Sequence, residues 1–225
     1  NNFIGIQVEP SPFDFDISNS LVSNRLDLKN VAIRNNSVAG IFSRNYRIRA
    51  ENLLVSAGGQ HCVALTGAGE YRFAHCTFAN NWSASTRQTP AVFLSNLYQV
   101  DSQTLGVGNI LQSRFTNCIF YGNGLNELGF DFDESGSIDL TIDNALVRML
   151  EEDFLELNQS YFTGNILVGA NPGFVNFSAG DFRLTEGSAV RGQGGNGGNL
   201  PTTDIIGTPY NLSQRPLGCF EYLPE

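Results

Sequence analysis

The sequence has 225 residues, a net charge of −9 and a pI of about 4.6, and Lys29 is its only lysine. Affinity for nucleic acid or an anionic membrane surface comes from clustered cations. The 13 Lys and Arg residues are scattered along the chain, so we expect neither partner. No apolar stretch approaches the ~18 residues that a membrane span needs. An acidic glycan would need a basic patch, and the linear sequence shows none.

Near the start of the chain, apolar and acidic residues alternate over Phe13–Ile17. In Phe13–Ile17 this alternation predicts a strand with aromatic side chains on one face and aspartates on the other. From Leu26 onward, short alternating segments are separated by corners rich in Asn, Gly and Ser, which are typical turn residues. The pattern predicts about three short strands in each repeat and almost no helix. Only residues 144–157 carry a helical spacing.

One phrase recurs along the chain: an Asn, an apolar residue, any residue and another apolar residue. Its first residues are Asn30, Asn52, His75 (in the Asn position), Asn117, Asn144 and Asn165, at spacings of 22, 23, 42, 27 and 21 residues. A period in the low twenties with strand-like alternation predicts a solenoid of β coils. We expect this Asn column to mark one bend of each coil, where stacked side chains supply hydrogen bonds to the corner backbone. The predicted fold class is all-β, a right-handed parallel β-helix.

The 42-residue spacing interrupts the period. One explanation is a single coil enlarged by a loop insertion in the 83–112 region, and the other is two coils of which one is degenerate. After Asn165 the composition shifts to Gly- and Asn-rich segments. A solenoid needs its last open edge covered. We therefore interpret 171–225 as the terminal coil and C-terminal cap of the same domain whose coils occupy 1–170.

Four cysteines, Cys62, Cys76, Cys118 and Cys219, include no C-x-x-C pair, which makes zinc and redox motifs weak explanations. Cys76 and Cys118 share one position of the repeat. Neighbouring coils would place their Cα atoms ~4.8 Å apart, within range of a disulfide. The favoured alternative is two buried free thiols in an apolar stack.

The end of the chain resembles the closing motif of a known group of proteins. The matching residues are Asn171, Pro172, Phe174 and Val175, then Gly180-Asp181-Phe182-Arg183-Leu184, then Gly187-Ser188-Ala189, and finally Gly218, Glu221 and Tyr222. This string is similar to that of bacterial right-handed parallel β-helix proteins of the choice-of-anchor Q type, common in Bacteroidota, within the pectin-lyase-like superfold. The chain departs from them at Ala189-Val190-Arg191 and Leu217-Gly218, where members usually carry an acidic residue. The resemblance implies a secreted or surface-displayed β-helix. Most members have no assigned activity, and some relatives in the superfold are polysaccharide lyases or hydrolases.

Residues 131–138 imitate the start of a calcium loop. Asp131, Asp133 and Ser135 place oxygen atoms at alternate positions, and Gly136 occupies the sixth. The twelfth position, which supplies a bidentate Glu in such loops, is Ile142. Phe13–Ile17 has a similar pattern at the same position in the repeat. This recurrence favours a strand with Phe inside and Asp outside. Asp131 and Asp133 stay candidate calcium ligands, and we expect no cofactor to be required.

Aromatic side chains near loops are candidate sugar-binding groups, because a flat apolar face suits a pyranose ring. Trp82, Tyr98 and Tyr121 fit this description, and Trp82 is the strongest of them. We interpret His75 as a member of the Asn column and His61 as a surface residue. Lyase or hydrolase chemistry needs carboxylates and a basic residue that converge on one sheet. The sequence indicates no such group, so no catalytic residue is assigned.

The leading expectation is a monomeric, non-catalytic module that binds carbohydrate or acts as an adhesin. It would be secreted or displayed on a bacterial cell surface, with any signal or anchor segment outside this sequence. One alternative is a polysaccharide lyase or glycoside hydrolase that acts on acidic polysaccharide, and a second is a structural spacer. Loops that protrude from a solenoid are where binding sites concentrate. The break between His75 and Asn117 is therefore where we expect a site.

Overall fold

The computed structural model describes residues 2–11, 21–150 and 152–224, and the strand expected at Phe13–Ile17 lies outside them. The chain is all-β, as predicted, with mostly parallel strands. The strands are β1 (Asn2–Val8), β2 (Arg25–Gly58), β3 (His61–Ala74), β4 (Thr77–Asn80), β5 (Val92–Ser95), β6 (Leu97–Gln99), β7 (Leu105–Val107), β8 (Ile110–Gly122), β9 (Leu128–Asp131), β10 (Ile138–Val147), β11 (Phe162–Val168), β12 (Phe174–Asn176) and β13 (Asp181–Leu184). One α-helix, α1 (Glu152–Leu157), and a 3-10 turn (Gln159–Tyr161) follow β10. The helical spacing predicted over 144–157 corresponds to α1 alone, because 144–147 end β10.

The parallel strands lie in three rows of paired segments. Row 1 contains β1, 39–44 of β2, 61–66 of β3, β5 and β9. Row 2 contains 46–51 of β2, 69–74 of β3, 110–116 of β8, 138–143 of β10 and 162–163 of β11. Row 3 contains 54–56 of β2, β4, 119–122 of β8, 145–147 of β10 and 166–168 of β11. We call one passage of the chain through the rows a coil.

The bend between rows 2 and 3 explains the recurring Asn. The backbone is left-handed at this position in five coils, with φ between 51° and 56° at Asn30, Asn52, His75, Asn117 and Asn144. Most L-residues avoid this region, and Asn tolerates it because its short polar side chain bonds locally. In the last coil Gly164 takes the left-handed position (φ 68°) and Asn165 follows it, where the register shifts by one residue. The bend of that coil is therefore made by Gly164, one residue before the Asn165 that the sequence motif predicted.

The core lies between the rows and is filled by stacked side chains of equivalent positions. Phe73 stacks on Phe115 with ring centroids 4.8 Å apart, and Phe78 lies 5.4 Å from Phe120. All four cysteines are buried and free. The free-thiol alternative for Cys76 is thus the one that the structure shows. No helix among the described residues has the length and apolarity that a membrane crossing requires.

The long spacing between His75 and Asn117 is one enlarged coil. Phe78 of β4 pairs directly with Phe120 of β8, so no degenerate coil lies between them. The enlargement has two parts. Residues 81–91 form an irregular loop, and 96–109 contain the antiparallel hairpin β6–β7, in which Leu97 pairs with Val107. Between them β5 occupies its regular place in row 1.

The C-terminal segment, residues 171–224, lies along the side of the stack. The reason is that row 3 is apolar on its outer face as well as its inner one. Outward residues of row 3 and apolar residues of the segment form a second core: Leu54, Ala79, Ile119 and Leu146 with Phe182, Leu184, Val190, Leu217, Cys219 and Phe220. The segment also bonds the bends of three successive coils. Asn52 Nδ2 donates to Thr203 O (2.8 Å), His75 Nδ1 contacts Gly218 O (3.1 Å), and Asn117 Nδ2 donates to Gly195 O (2.9 Å).

Candidate functional site

A groove of about 300 Å³ lies on the outer face of row 1, where the β6–β7 hairpin stands beside it. We call it the hairpin groove. Phe42 and Phe93 form its floor, Leu97 and Leu105 of the hairpin form one wall, and Asp131 lies at its rim. The groove therefore belongs to the enlarged coil, in the region where the sequence led us to expect a site.

The floor follows from strand alternation and register. Phe42 and Phe93 point outward from row 1, and Ala64 lies between them in the pairing order Phe42, Ala64, Phe93, Gly129. The two rings are thus two strand spacings apart, roughly 10 Å. Ala64 and Gly129 carry almost no side chain, so the rings protrude above their neighbours. Both rings are half-buried and keep an exposed surface.

Polar groups surround this aromatic floor. Arg44 Nη2 pairs with Glu9 Oε2 (2.6 Å), and Arg44 Nη1 donates to the carbonyl of Gln99 in the hairpin (3.3 Å). Thr66 Oγ1 donates to the carbonyl of Ser43 at 3.0 Å. The Asp131 carboxylate is exposed to solvent. An apolar surface with a guanidinium, a hydroxyl and a carboxylate at its edges is suited to a ligand that has both a flat apolar face and hydroxyl groups.

Tyr98 lies in the wall of the hairpin groove, but its side chain is almost fully buried. Its side chain is 4% exposed and packs over Gly67 and Gly106, where a Cβ would approach the ring to 2.9 Å and 2.4 Å. Burial also raises the pKa of the Tyr98 phenol. The Tyr98 ring packs the hairpin against β3, and its stacking on a sugar stays a prediction.

The other two aromatic candidates lie elsewhere. Trp82 lines a separate, mostly polar groove of about 330 Å³ with Arg34 and Gly180, and its indole N–H donates to Ser85 Oγ at 3.0 Å. Tyr121 packs under the C-terminal segment, edge-on to Phe177 at 5.3 Å. The structure thus does not bring the three aromatic candidates together, and Tyr121 is a packing residue.

Asp131 ends β9, and Asp133 begins the turn that follows it. Asp133 Oδ1 accepts bonds from Ser135 N (2.9 Å) and Ser135 Oγ (2.5 Å), and these bonds lower the pKa of the Asp133 carboxyl. Phe130 and Phe132 stack at 5.2 Å against the core, while Asp131 and Asp133 are exposed. Within residues 2–11, 21–150 and 152–224, no three His, Cys, Asp or Glu side chains are grouped to hold an ion. A calcium site supplied by Asp131 and Asp133 stays a prediction.

The Asn column is bonded in pairs. Asn52 Nδ2 donates to Asn30 Oδ1 (2.9 Å), and Asn117 Nδ2 donates to His75 Nε2 (2.9 Å). At the far end, the Asn144 Oδ1 atom accepts from Asn165 N at 3.0 Å. Between the pairs, the C-terminal segment supplies the partners.

The environments of both histidines favour the neutral imidazole. Burial, together with a smaller effect of the nearby Arg215 charge, lowers the pKa of His75 to about 3. His61 stacks on Phe93 with ring centroids 5.6 Å apart, and burial lowers its pKa as well. His61 is only part-buried and lies beside the hairpin groove, with its Nδ1 atom 2.8 Å from the Pro90 carbonyl oxygen.

A buried ion pair stabilises the enlarged coil, and no sequence motif indicated it. Glu127 is fully buried and Arg87 nearly so, and their side chains are in direct contact. Glu127 also accepts bonds from Ala91 N (2.8 Å) and Gly124 N (2.6 Å). The pair fixes the 81–91 loop against the turn before β9, and this positions β5 and Phe93.

Comparisons with protein-family models, curated proteins and solved structures gave no match. Function must therefore be inferred from the residues and their geometry.

Proposed function

We propose that the chain is a right-handed parallel β-helix of the choice-of-anchor Q type that serves as a carbohydrate-binding module, secreted or displayed on a bacterial surface. The finer description of the fold is supported by three parallel rows in register and by left-handed bends at a period in the low twenties. Such stacking of short parallel strands is what a solenoid of β coils requires.

The hairpin groove carries the functional proposal. A pyranose ring has one face made mainly of C–H groups, which packs on an aromatic ring, and hydroxyls at its edge that need hydrogen-bond partners. Phe42 and Phe93 supply the first requirement, and Arg44, Thr66 and Asp131 supply the second. At about 300 Å³ the groove lies at the lower end of the range for small-ligand sites. It suits one or two sugar units of a longer glycan.

Binding without catalysis is the form of the proposal that the groove supports. Glycosidic hydrolysis uses two carboxyl groups that flank the scissile bond. Among the described residues that line the hairpin groove, Asp131 is the one carboxylic acid, and Glu9, the partner of Arg44, is not one of these lining residues. A single exposed carboxylate can orient a hydroxyl by accepting its proton in a hydrogen bond.

A glycan array tests the proposal. We expect the wild-type chain to be retained on a set of neutral glycans without release of product, and Phe93→Ala to weaken retention roughly tenfold through loss of the stacking face. Phe3→Ala is the matched control, because Phe3 is 77% exposed and lies on β1, outside the groove. Circular dichroism would verify that each variant is folded.

Four outcomes would count against the proposal. Equal retention of wild type and Phe93→Ala would move binding elsewhere, and loss in Trp82→Ala alone would move it to the Trp82 groove. No retention on any glycan would refute carbohydrate binding by this module. Release of shortened or unsaturated sugars would make the chain an enzyme.

A further inference from the structure

Three arginines that are far apart in sequence lie side by side on the outer face of row 2. Arg49 pairs in register with Arg72, and Arg72 pairs with Arg114. Their spacings of 23 and 42 residues are those of the Asn column, so each arginine precedes its bend by three residues. Successive positions are about one strand spacing apart, ~4.8 Å. We call Arg49, Arg72 and Arg114 the arginine column. It corrects the expectation that the chain has no basic patch.

The arginine column forms one side of a groove of about 320 Å³. The opposite side is the glycine-containing stretch Gly197–Leu200 of the C-terminal segment. A Cβ added at Gly197 or Gly198 would meet no atom within 4 Å, so this stretch stands clear of the strands. All three arginine side chains are substantially exposed, between 38% and 54%. The guanidinium groups are therefore accessible along an open channel that runs across the strands.

The charge balance of this surface is opposite to that of the whole chain. Five cations, Lys29, Arg47, Arg49, Arg72 and Arg114, share three carboxylates, Glu51, Glu70 and Asp139, at N–O distances of 2.7 to 3.6 Å. Glu51 pairs with Lys29 and Arg49, and Glu70 pairs with Arg47 and Arg72. Asp143, which pairs in register with Thr116 on the same face, is a fourth carboxylate. The surface thus carries about one positive charge in excess, on a protein whose net charge is −9. Such a local field attracts an anionic chain that the rest of the surface repels.

Folding stability does not account for the arginine column. Like charges directly opposite each other on paired strands are destabilising, and two unit charges ~4 Å apart repel by about 1 kcal/mol even in water. Exposed ion pairs with the carboxylates offset little of this. In the next coil, Thr141 occupies the equivalent position next to Arg114. In the first coil, Asp27 stands three residues before Asn30 and pairs with Arg25.

We propose that the arginine column binds an acidic polysaccharide along its length. A guanidinium is a planar fork that bonds carboxylate or sulfate oxygens in pairs. Three arginines on successive strands of one row offer such groups to a linear polymer whose acidic groups recur along the chain. The inference extends the proposed carbohydrate binding to a second face of the module, and it rests on residues that do not line the hairpin groove.

The test compares dextran with dextran sulfate, which share a backbone and differ in charge, and uses alginate for carboxylates. Affinity electrophoresis or isothermal titration calorimetry should show higher affinity for the two acidic polymers than for dextran. The affinity for the acidic polymers should fall as NaCl is raised. Binding to one acidic polymer and not the other would assign the column to sulfate or to carboxylate. No binding to either would overturn the proposal.

Arg72→Thr is the most informative variant. It installs the residue found at position 141, and Glu70 keeps Arg47 as its partner. We expect a three- to tenfold loss of affinity for the acidic polymer, with thermal stability unchanged or higher. The control is Arg183→Gln, which removes the same charge from the C-terminal segment. Equal weakening by both variants would mean binding by overall charge and would overturn the proposal, as would lost stability with unchanged affinity in Arg72→Thr.

Phe93→Ala separates this proposal from the hairpin groove. Retained binding of dextran sulfate with lost binding of neutral glycans would show two independent sites. Loss of both in Phe93→Ala would place the acidic polymer in the hairpin groove and overturn the role of the arginine column.

Discussion

His75 offers the sharpest test of how the C-terminal segment is held. The side chain is fully buried, its Nε2 atom accepts bonds from Asn117 Nδ2 (2.9 Å) and Arg215 Nη1 (3.0 Å), and its Nδ1 atom donates to Gly218 O (3.1 Å). Two donors converge on Nε2, so the ring must be neutral with its proton on Nδ1. Protonation would place a second positive charge against the Arg215 guanidinium.

The pH dependence follows from this geometry. The pKa of His75 is about 3 in the folded protein, below its ordinary 6.5, so between these values the unfolded chain binds a proton that the folded chain does not. The free energy of unfolding then falls by about 1.4 kcal/mol for each pH unit below 6.5. At pH 5 the loss from His75 is about 2 kcal/mol. Above pH 6.5 this contribution is constant.

The variant His75→Asn isolates this effect. Asn is the residue that other coils use at this bend, so it accepts the left-handed backbone and removes the titration. At pH 8 we expect it to be less stable by about 1–3 kcal/mol, because Arg215 loses its acceptor. Between pH 6.5 and pH 5 it should lose about 2 kcal/mol less than the wild type. Urea unfolding followed by circular dichroism measures both quantities, and His61 titrates equally in the two proteins. Parallel loss of stability in this pH range would refute the assignment.

Three further predictions concern buried polar groups. Glu127→Ala leaves the Arg87 charge buried without its partner and should reduce the free energy of unfolding by about 3–5 kcal/mol. Glu186→Ala, at an exposed position, should change it by less than about 0.5 kcal/mol. Similar values for the two variants in urea unfolding would contradict the role of the ion pair. Asn52→Gly keeps the left-handed bend but loses bonds to the C-terminal segment, so it should reduce the free energy of unfolding by about 2–3 kcal/mol. Asn30→Gly, at the exposed end of the column, should reduce it by about 1 kcal/mol. Equal melting temperatures of the two variants would show that the Asn52 amide bonds add no stability. The four buried thiols should react with a thiol reagent only after denaturation, and labelling of the native protein at the rate of a free cysteine would disprove their burial.

Local chemistry made part of the fold predictable. Asn52 and its equivalents are found where the backbone is left-handed, and that preference belongs to the single residue, so the period of the bends is visible in the sequence. The alternation in Phe130–Asp133 likewise predicts aromatic rings inside and carboxylates outside, which the structure shows. Both signals need no knowledge of neighbouring coils.

Features that depend on contacts between coils could not be predicted in the same way. Arg72 and Arg114 are 42 residues apart and look scattered, and only the register of β3 with β8 makes them neighbours. Outward Leu54 and Ile119 resemble core residues in sequence, so the lateral position of the C-terminal segment gave no separate signal. Tyr98 resembles an exposed loop aromatic until the hairpin folds it onto Gly67. A search for charges at a fixed distance from each Asn of the column would have found the arginine column.

The lateral position of the C-terminal segment has a consequence for how the molecule comes apart. In most repeat architectures each unit contacts only its neighbours, and unfolding can begin at an end and proceed unit by unit. Here Thr203, Gly218 and Gly195 are bonded to Asn52, His75 and Asn117, in three successive coils. Releasing any one of these coils disrupts the C-terminal segment, which also stabilises the other two. We therefore expect the stack to resist fraying and to unfold as one cooperative unit.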